Sequence, residues 1–465
     1  MLSGSTTPAW AIADSDPASS VLVRFKDGTP SRVETAVLNA VHAQVVARYP
    51  GGPILISTGS PTARDAALKR LPSFGSVRYA EPNSTFHIDA TVPNDPGLAA
   101  QSALSSSSPS NIDANLAWDT TQGKSSTIIA VIDSGLDTSH PDFAGRLWVN
   151  AGEAAGPAGR DNDGDGFIGD VNGWNFINNS PNITDDNGHG THVTGILGAT
   201  GNNGVGVAGV NWNARIMPLK FIGADGNGSV DDAVRAIYYA VDHGARVINA
   251  SWGGGAHVQS LTDAISYANS HNVVFVTAAG NEGTNNGVVR SFPADDRLPN
   301  LISVAAVDQN GNLASFSNFG VSTVDIAAPG INIRSTVPGG YATYSGTSMS
   351  APYVSGVVSL LVGLHPEMTA AQLVSRVLNA AKPLPSLQGR LVTGGVVDAA
   401  NTVSDAYAAA HPGVIPSHKG PKVRIRKPIV HKAAKAVKPR APIHRAHAKA
   451  AAPVEVDYGS VDVHD

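Results

Sequence analysis

The chain has 465 residues, of which 42% are apolar, and it contains 49 glycines, 30 prolines and no cysteine. A disulfide framework, a thiol nucleophile and thiolate-bound zinc are therefore excluded. The net charge of −5 is unevenly spread, because positions 411–465 hold 11 basic and 4 acidic residues, which leaves 21 and 33, a net −12, for positions 1–410. The composition indicates an acidic globular body followed by a basic tail.

The first 89 positions divide into a leader, 1–19, and a small α+β unit, 20–89. The leader contains Ala9-Trp10-Ala11, which is typical of a signal-peptidase site, but no basic and long apolar segments precede it. It is interpreted as a truncated signal peptide or a short disordered leader. Strand patterns at 21–25, 53–56 and 77–79 alternate with helical patterns at 32–42 and 60–71. This order predicts a compact domain of the ferredoxin-like kind.

Positions 90–410 predict the main domain, an α/β fold built on a parallel sheet. Near-continuous apolar runs at 128–132, 216–221, 247–250, 273–278 and 302–307 are typical of strands buried on both faces. Helical patterns between them, such as 230–242 and 261–271, predict helices on both sides of the sheet. No uninterrupted apolar run reaches the roughly 18 residues of a membrane-spanning helix.

Positions 411–465 are rich in alanine, lysine, proline and histidine and show no apolar periodicity. They predict a disordered tail. The tail is either a solvated linker or a ligand for an anionic polymer or wall. No aromatic residue interrupts the cations between 419 and 449, so stacking on nucleic-acid bases is not indicated.

Three separated segments each carry one member of a candidate Ser-His-Asp triad. Asp133 ends the apolar run at 128–132, and a carboxylate buried there is costly unless it is paired, for example with a histidine. Ser348 precedes the apolar stretch 349–364, whose first turn is expected to hold Pro352. A serine at a helix N-terminus lies where developing negative charge is favoured. Alone, these residues fit a turn aspartate and a helix-capping serine; together with a histidine they predict nucleophilic cleavage of an acyl bond.

The histidine segment contains His189 and His192, three positions apart. Such a pair also fits two metal ligands on one helix face, but no further histidine or carboxylate stands at a zinc-protease spacing. The glycines on both sides of His189 allow close backbone approach. His189 is therefore predicted to be the general base and His192 a packed helix residue.

The order Asp, His, Ser and the three segments resemble those of the subtilisin-like serine proteases, the subtilase family, over roughly positions 115–400. The resemblance implies a three-layer parallel-sheet catalytic domain and a serine endopeptidase that works through an acyl-enzyme, with Asp133, His189 and Ser348 as its triad. It also implies that Asn281, in the segment 278–283, donates its side-chain amide to the oxyanion. The residues alone indicate only a Gly-Asn turn at that position.

The resemblance further implies where substrate binds. The substrate main chain would add as a strand between the segment 251–254 and the loop at 224–228, although both segments also read as ordinary glycine turns. A preference for medium to large apolar side chains over basic ones is expected. The implied substrate-binding residues are Ser251, Trp252, Gly253, Gly254, Ala278, Ala279, Gly280, Gly226, Ile222 and Val230 (for the pocket four residues before the cut), and Ser291 (for the primary pocket).

Structural calcium is expected at two places, and no organic cofactor is expected. Asp161, Asp163 and Asp165 occupy positions 1, 3 and 5 of a loop with glycine at position 6, and Asp170 is a candidate remote ligand. Position 12 lacks the glutamate of a full calcium loop, so a solvated acidic turn is the alternative. The resemblance implies a second site, and the carboxylates 185 and 186 either form a third or support the positive form of the histidine. The ligands implied for the second site are Asp142, Asn203 and the carbonyls of Val205 and Val207.

The segment 20–88, with Tyr79-Ala80-Glu81-Pro82-Asn83-Ser84, resembles the inhibitor and chaperone propeptide of these proteases. The resemblance implies a secreted zymogen that cuts itself between about 86 and 96. The expected partners are protein or peptide substrates and its own propeptide as an intramolecular inhibitor, with no specific nucleic acid, no transmembrane segment and a monomeric state. The alternatives are a permanent accessory domain, a non-catalytic surface or binding protein, and a dedicated processing protease with one partner substrate.

Overall fold

The computed structural model describes residues 19–83, 90–105 and 107–411. Three of the predicted features fall wholly or partly outside these ranges. Nearly all of the leader, the first part of the expected cleavage segment (86–89) and the basic tail beyond residue 411 lie outside the described residues.

Residues 20–82 form an antiparallel sheet with two helices, which fits the α+β unit expected from the sequence. Its strands are ordered β2-β3-β1-β4 and every pair is antiparallel, which is the ferredoxin-like arrangement. Ser60 caps the second helix by accepting the N–H of Ala63, and Pro61 occupies the first helical position, where no N–H is needed. The elements are β1 Ser20–Phe25, α1 Ser31–Ala40, β2 Gln44–Arg48, β3 Ile54–Ser57, α2 Pro61–Arg70 and β4 Val77–Pro82.

The main domain is built on a nine-stranded sheet, ordered β14-β15-β11-β10-β9-β8-β5-β7-β6, in which only the β14–β15 pair is antiparallel. A separate hairpin, β12–β13, lies outside this sheet. The strands are β5 Ile128–Asp133, β6 Trp174–Asn175, β7 Arg215–Lys220, β8 Val247–Ala250, β9 Val274–Ala278, β10 Leu301–Val307, β11 Ile326–Pro329, β12 Ile333–Val337, β13 Gly340–Tyr344, β14 Lys382–Pro383 and β15 Gly395–Val396.

Helices cover both faces of this sheet, which gives the predicted three layers. Alternate residues of β5 show the division, because Ile129 and Val131 belong to one hydrophobic core with α6, α9 and α10, and Ala130 and Ile132 to another with α7 and α8. The helices are α3 Ser102–Ser105, α4 Ala114–Trp118, α5 Ala151–Ala155, α6 His189–Gly198, α7 Val230–Asp242, α8 Gln259–Ser270, α9 Thr347–Leu364, α10 Ala370–Asn379, α11 Ala399–Val403 and α12 Asp405–Ala410.

Helix α9 is the central helix of the domain. Among the described residues it is the one helix whose length and mean hydropathy, 1.4 over 18 residues, would allow it to cross a membrane. It is 89% buried inside the protein and contacts α6, β8, β9 and β10. Its apolar character is therefore that of a core helix.

The parallel sheet fixes where a site can form. Parallel strands all end at the same edge, and open α/β sheets place their sites beyond the carboxyl ends of the strands. Here β5 ends at Asp133, β8 is followed by the segment 251–254, and β9 by the segment 279–283. Asp133 therefore lies at the same edge of the sheet as the predicted substrate-pairing segment 251–254 and the predicted oxyanion segment.

Candidate active site

Asp133 is fully buried at the end of β5. Its Oδ1 accepts a hydrogen bond from the backbone N–H of Ser134 at 2.7 Å. The same oxygen lies 2.8 Å from Nδ1 of His189. The carboxylate thus fixes which ring nitrogen carries the proton, because an N–H at Nδ1 leaves Nε2 as the acceptor.

His189 is the first residue of α6, and the glycines on both sides of it allow the close backbone approach that the sequence predicted. Gly188 adopts a left-handed φ of 95°, which favours glycine. A Cβ on Gly190 would lie 2.3 Å from the carbonyl oxygen of Gly135. These two glycines let the start of α6 approach the loop after β5, so that the imidazole reaches Asp133.

The environment of His189 favours its charged form. Burial alone lowers the pKa of the imidazole, but the charge and hydrogen bond of Asp133 and the charge of Asp185 outweigh it, and the pKa lies above its ordinary value. A general base must be neutral before it accepts a proton. Catalysis by this residue therefore requires a pH above that raised pKa.

His192 is a packed residue, as predicted. It is fully buried, its Nε2 lies 3.1 Å from the carbonyl of Ile333, and its ring stacks on Tyr344 at 4.3 Å between centroids. Burial lowers its pKa to about 4. Among the described residues it belongs to no group of side chains that could hold a metal ion.

Ser348 is the second residue of α9 and lies at the helix N-terminus. Its Oγ donates a hydrogen bond to the carbonyl of Ser251 at 3.0 Å, and no hydrogen bond joins it to His189 in the described part of the chain. The hydroxyl must therefore rotate before the histidine can take its proton. Catalytic hydrogen bonds of this kind often tighten only when substrate is bound.

Pro352 lies inside α9 rather than in its first turn, which corrects the prediction. The helix begins at Thr347, so the proline stands in the second turn. A proline has no N–H to donate to the carbonyl four residues earlier, here that of Ser348. That carbonyl accepts the hydroxyl of Ser251 instead, at 2.8 Å, so the two serines are joined in both directions.

Asn281 presents its amide to the same region. Its Oδ1 accepts the backbone N–H and the hydroxyl of Thr347, both at 2.9 Å. Its carbonyl end is thus held against the start of α9. The Nδ2 group has no acceptor among the described residues and is available to donate beside Ser348.

A cavity of about 280 Å³ lies at the site, and a second cavity of about 230 Å³ shares part of its lining. His189, Asn281 and Ser348 line the first. Ten of the eleven predicted substrate-binding residues line one cavity or both. Those in the first are Ile222, Gly226, Ser251, Trp252, Gly253, Gly254, Ala278, Gly280 and Ser291, and Val230 lines the second, which also includes Ile222, Gly226, Trp252, Gly253 and Gly254.

Ala279 is the exception, and the structure places it outside both cavities. It is fully buried, its N–H donates to the carbonyl of Val304, and its own carbonyl accepts from Asn286 and Asn318. The sequence reasoning also missed Glu282, whose carboxylate lines the first cavity and accepts a hydrogen bond from Asn318. Its position directly after Asn281 was the available signal.

Only some of the predicted ligands in the acidic loop 161–170 lie close to one another. The carboxylates of Asp161, Asp163 and Glu153 lie within 4.8 Å of one another, as do ligand atoms of Asp163, Asp165 and His243. Glu153, which the loop pattern did not reveal, completes an all-oxygen group of the kind calcium prefers. Asp170 joins neither group, because its buried carboxylate accepts from Tyr239 and Asn150, so its prediction as a calcium ligand is not supported.

Residues predicted for the second calcium site lie around Asp142, which is fully buried. Its oxygens accept hydrogen bonds from the N–H of Val207 at 3.1 Å and from the amide of Asn203 at 3.4 Å, and the N–H of Val205 donates to Asn203. The sequence reasoning missed Asp95, whose buried Oδ1 has no hydrogen-bond partner among the described residues. An orphaned buried carboxylate oxygen at this loop fits a bound cation.

The adjacent carboxylates 185 and 186 do not form a metal group in the described part of the chain. Asp185 is buried and accepts hydrogen bonds from the start of α6. Asp186 pairs with the buried Nζ of Lys220 at 2.7 Å. Of the two interpretations drawn from the sequence, the structure favours support of the histidine by Asp185.

Comparison with known proteins identifies the family. The model of the subtilase family matches residues 124–408. A thermophilic serine proteinase of Bacillus sp. is 37% identical over 345 residues, which are 73% of this chain and 77% of that protein. Thermitase of Thermoactinomyces vulgaris is 38% identical over 270 residues, which are 58% of this chain and 85% of thermitase.

Among solved structures, a protease from Pseudoalteromonas arctica matches with a TM-score of 0.55 and 31% identity, over 69% of this chain and all of that one. The fold, the edge at which the site forms and the sequence matches agree. The chain belongs to the subtilase family and is a subtilisin-like serine endopeptidase.

Proposed function

We propose that the protein is a secreted endopeptidase that hydrolyses peptide bonds with Ser348 as nucleophile, His189 as general base and Asp133 as the residue that orients the base. The observation that carries this proposal is the 2.8 Å contact between Nδ1 of His189 and Oδ1 of Asp133, with His189 and Ser348 lining one cavity. That these side chains come from three distant segments and lie at one edge of the sheet supports a role in acyl transfer.

The reaction begins when the hydroxyl of Ser348 leaves the carbonyl of Ser251 and turns toward Nε2 of His189. The Oγ attacks the substrate carbonyl carbon while Nε2 accepts the hydroxyl proton, and Asp133 stabilises the resulting imidazolium. Collapse of the tetrahedral intermediate breaks the C–N bond, and the imidazolium gives its proton to the leaving amine. Water then attacks the acyl-enzyme by the same route and releases the second product.

The oxyanion of the intermediate is stabilised by two donors. The N–H of Ser348 lies in the first turn of α9, where backbone N–H groups have no intrahelical partner. The amide Nδ2 of Asn281 supplies the second donor, since its Oδ1 is held by Thr347. Donors fixed before reaction need no reorganisation when charge develops.

Asn281→Leu should lower kcat by about 10²–10³-fold and leave KM nearly unchanged, because one oxyanion donor is lost only in the transition state. The measurement is steady-state hydrolysis of a chromogenic peptide by the mature enzyme. Asn285→Ala is the control, since that amide accepts from Gly287 and does not line the cavity. An unchanged kcat in Asn281→Leu would remove this residue from the mechanism.

The two cavities support binding of an extended peptide. Glycines at 226, 253 and 254 line both cavities and leave room for a substrate main chain between two walls. The first cavity, beside Ser348, would take the side chain before the cut, with Ser291 in its lining. The second, lined by Ile222, Val230 and other apolar groups, would take the side chain four residues before the cut.

Residues 20–89 are proposed to act as the propeptide. The ferredoxin-like domain has its own hydrophobic core, with Val21, Val23 and Ile56 fully buried, so it is suited to fold as a unit. In this role it assists folding, inhibits the enzyme and is cut off by the enzyme's own activity.

The proposal is tested by intact mass and N-terminal sequencing of wild type beside Ser348→Ala, with a fluorophosphonate probe added to each. Wild type should lose roughly 90 residues and be labelled, and the variant should stay full length and unlabelled. If neither protein is processed or labelled, the non-catalytic binding protein is favoured. Cleavage profiling on a peptide library then separates a broad endopeptidase from a processing protease with one partner.

Calcium is proposed as a structural ion in this enzyme, as in subtilases generally. The buried carboxylates of Asp95 and Asp142 with Asn203 and the carbonyls of Val205 and Val207 would hold one ion, and Glu153, Asp161 and Asp163 another. The donors are all oxygens, which suits a hard cation. Bound calcium would neutralise clustered carboxylates; it takes no part in bond cleavage.

Removal of calcium with EDTA should lower the melting temperature by about 5–10 °C per tightly held ion, since a ligand that binds only the native state stabilises it. Calcium should restore stability and magnesium should not. Asp95→Asn should lose part of the calcium-dependent gain, whereas Asp308→Asn, in an exposed turn, should keep all of it. Equal melting temperatures with and without EDTA in wild type would contradict the assignment.

A further inference from the structure

Asp185 is a buried carboxylate with only 6% of its surface exposed, and both of its oxygens accept hydrogen bonds. Oδ1 accepts the hydroxyl of Ser134 at 2.8 Å and the N–H groups of Asn187 and Gly188 at 3.1 and 2.8 Å. Oδ2 accepts the N–H and the hydroxyl of Thr191 at 2.8 and 2.6 Å. Five donors converge on one side chain that the reaction sequence does not use.

These contacts make Asp185 the cap of helix α6. The first N–H groups of a helix have no intrahelical acceptor, and the residue before the helix, Gly188, has no side chain to supply one. The carboxylate reaches the helix start from three residues earlier. Negative charge at this end is favoured by the helix dipole.

Asp185 is also linked to the end of β5, the strand that carries Asp133. Ser134 donates its hydroxyl to Asp185, accepts the N–H of Gly190 at 2.8 Å, and donates its own N–H to Asp133. Ser134 directly follows Asp133, and Gly190 directly follows His189. The hydrogen-bonded bridge therefore fixes the end of β5 against the start of α6 beside both residues.

We propose that Asp185 is a positioning residue for catalysis, which aligns His189 with Asp133 through the cap and the Ser134 bridge and places a second negative charge near the imidazole. The inference rests on the proposed roles of the triad. Asp185 contacts neither substrate nor the reacting atoms, so it acts through the histidine.

The negative charge of Asp185 raises the pKa of His189. Burial lowers the pKa of His189, and Asp133 and Asp185 together raise it. The other ionisable groups near this end of α6 include His192, whose pKa burial lowers to about 4, and the pair of Asp186 with Lys220. Tyr344, which stacks on His192, and Asp137, whose N–H donates to the hydroxyl of Thr191, also lie there. Without the charge at 185, the pKa of His189 falls, the base becomes neutral at lower pH, and the imidazolium formed in the transition state is less stabilised.

Asp185→Asn should lower kcat of the mature enzyme by about 10–100-fold, the size of effect expected from misplacing a catalytic group. KM should stay unchanged, and the acid limb of kcat/KM should move to lower pH. Asp186→Asn is the matched control, since it removes the neighbouring carboxylate, and it should leave kcat and the acid limb as in wild type. Ser134→Ala keeps the buried charge and breaks the bridge, so it should lower kcat without moving the acid limb.

The titration of His189 is followed directly by NMR of its Nδ1 proton in the full-length chain, in a Ser348→Ala background that prevents self-cleavage. Adding Asp185→Asn should lower the titration midpoint, and adding Asp186→Asn should not. A purely structural cap would lower the melting temperature and leave the midpoint in place, and that result would overturn the inference, as would wild-type kcat in both Asp185→Asn and Ser134→Ala. Activity that survives Ser348→Ala would instead refute the proposed function.

Discussion

Ser348→Ala should lower kcat for peptide hydrolysis by about 10⁶-fold, because the members of a triad act as a unit and the nucleophile has no substitute. Among the described residues the side chain makes a single hydrogen bond, to the carbonyl of Ser251, so its loss should leave the fold and KM nearly unchanged. Residual hydrolysis above the rate in water would come from the donors at Asn281 and the N–H of residue 348. The loss therefore appears in kcat and in no measure of stability.

The comparison requires mature protein on both sides, since the variant cannot mature itself. Wild type and variant are therefore processed by an added protease that is then removed, and initial rates are measured with a chromogenic peptide. Ser350→Ala is the control, because its hydroxyl is buried against the carbonyls of Ala328 and Pro329, away from the cavity. A variant at 348 that keeps more than about a thousandth of the wild-type kcat would point to another nucleophile.

The central strands could be predicted because burial on both faces leaves an uninterrupted apolar run. Strands β5, β8 and β10 differ from their predicted bounds by a residue at most. Most strands that were missed lack that pattern: β2 has an exposed Val45, and the hairpin β12–β13 carries polar residues at several positions. Strand β11 was missed although it is fully buried, because its apolar run is only three residues long before Pro329. The two-residue strands β6, β14 and β15 are defined by their neighbours in the sheet, and no sequence pattern predicts them.

The site, like the fold, could be predicted only in part. Local signals marked each triad segment, since a carboxylate after a buried strand, glycines around a histidine and a serine before an apolar helix each have a physical cost or purpose. What depends on distant chain segments could not be predicted. Neither the exchange of hydrogen bonds between Ser251 and Ser348 nor the orphaned oxygen of Asp95 leaves any spacing pattern in the sequence.

Asp133→Asn should lower kcat by about 10⁴-fold with the overall geometry preserved. Oδ1 of Asp133 accepts from both Ser134 and His189, and the buried Oδ2 has no partner in the described part of the chain. If the amide keeps its oxygen at the Oδ1 position, the imidazolium loses its negative partner. If the amide is turned, its NH₂ faces Nδ1, and the ring must carry its proton on Nε2, where it cannot act as a base.

The same substitution should leave the melting temperature unchanged or raise it, because a buried carboxylate without a partner on one oxygen is costly to the folded state. In one preparation of this variant, kcat should therefore fall while the melting temperature does not. Asp137→Asn is the control, since that carboxylate binds Ser139 and the N–H of Gly339 and contacts no triad residue, and its kcat should stay at the wild-type level. A loss of less than about tenfold in Asp133→Asn would mean that another group orients His189, and Asp185, which already raises the pKa of that histidine, would be the residue to test next.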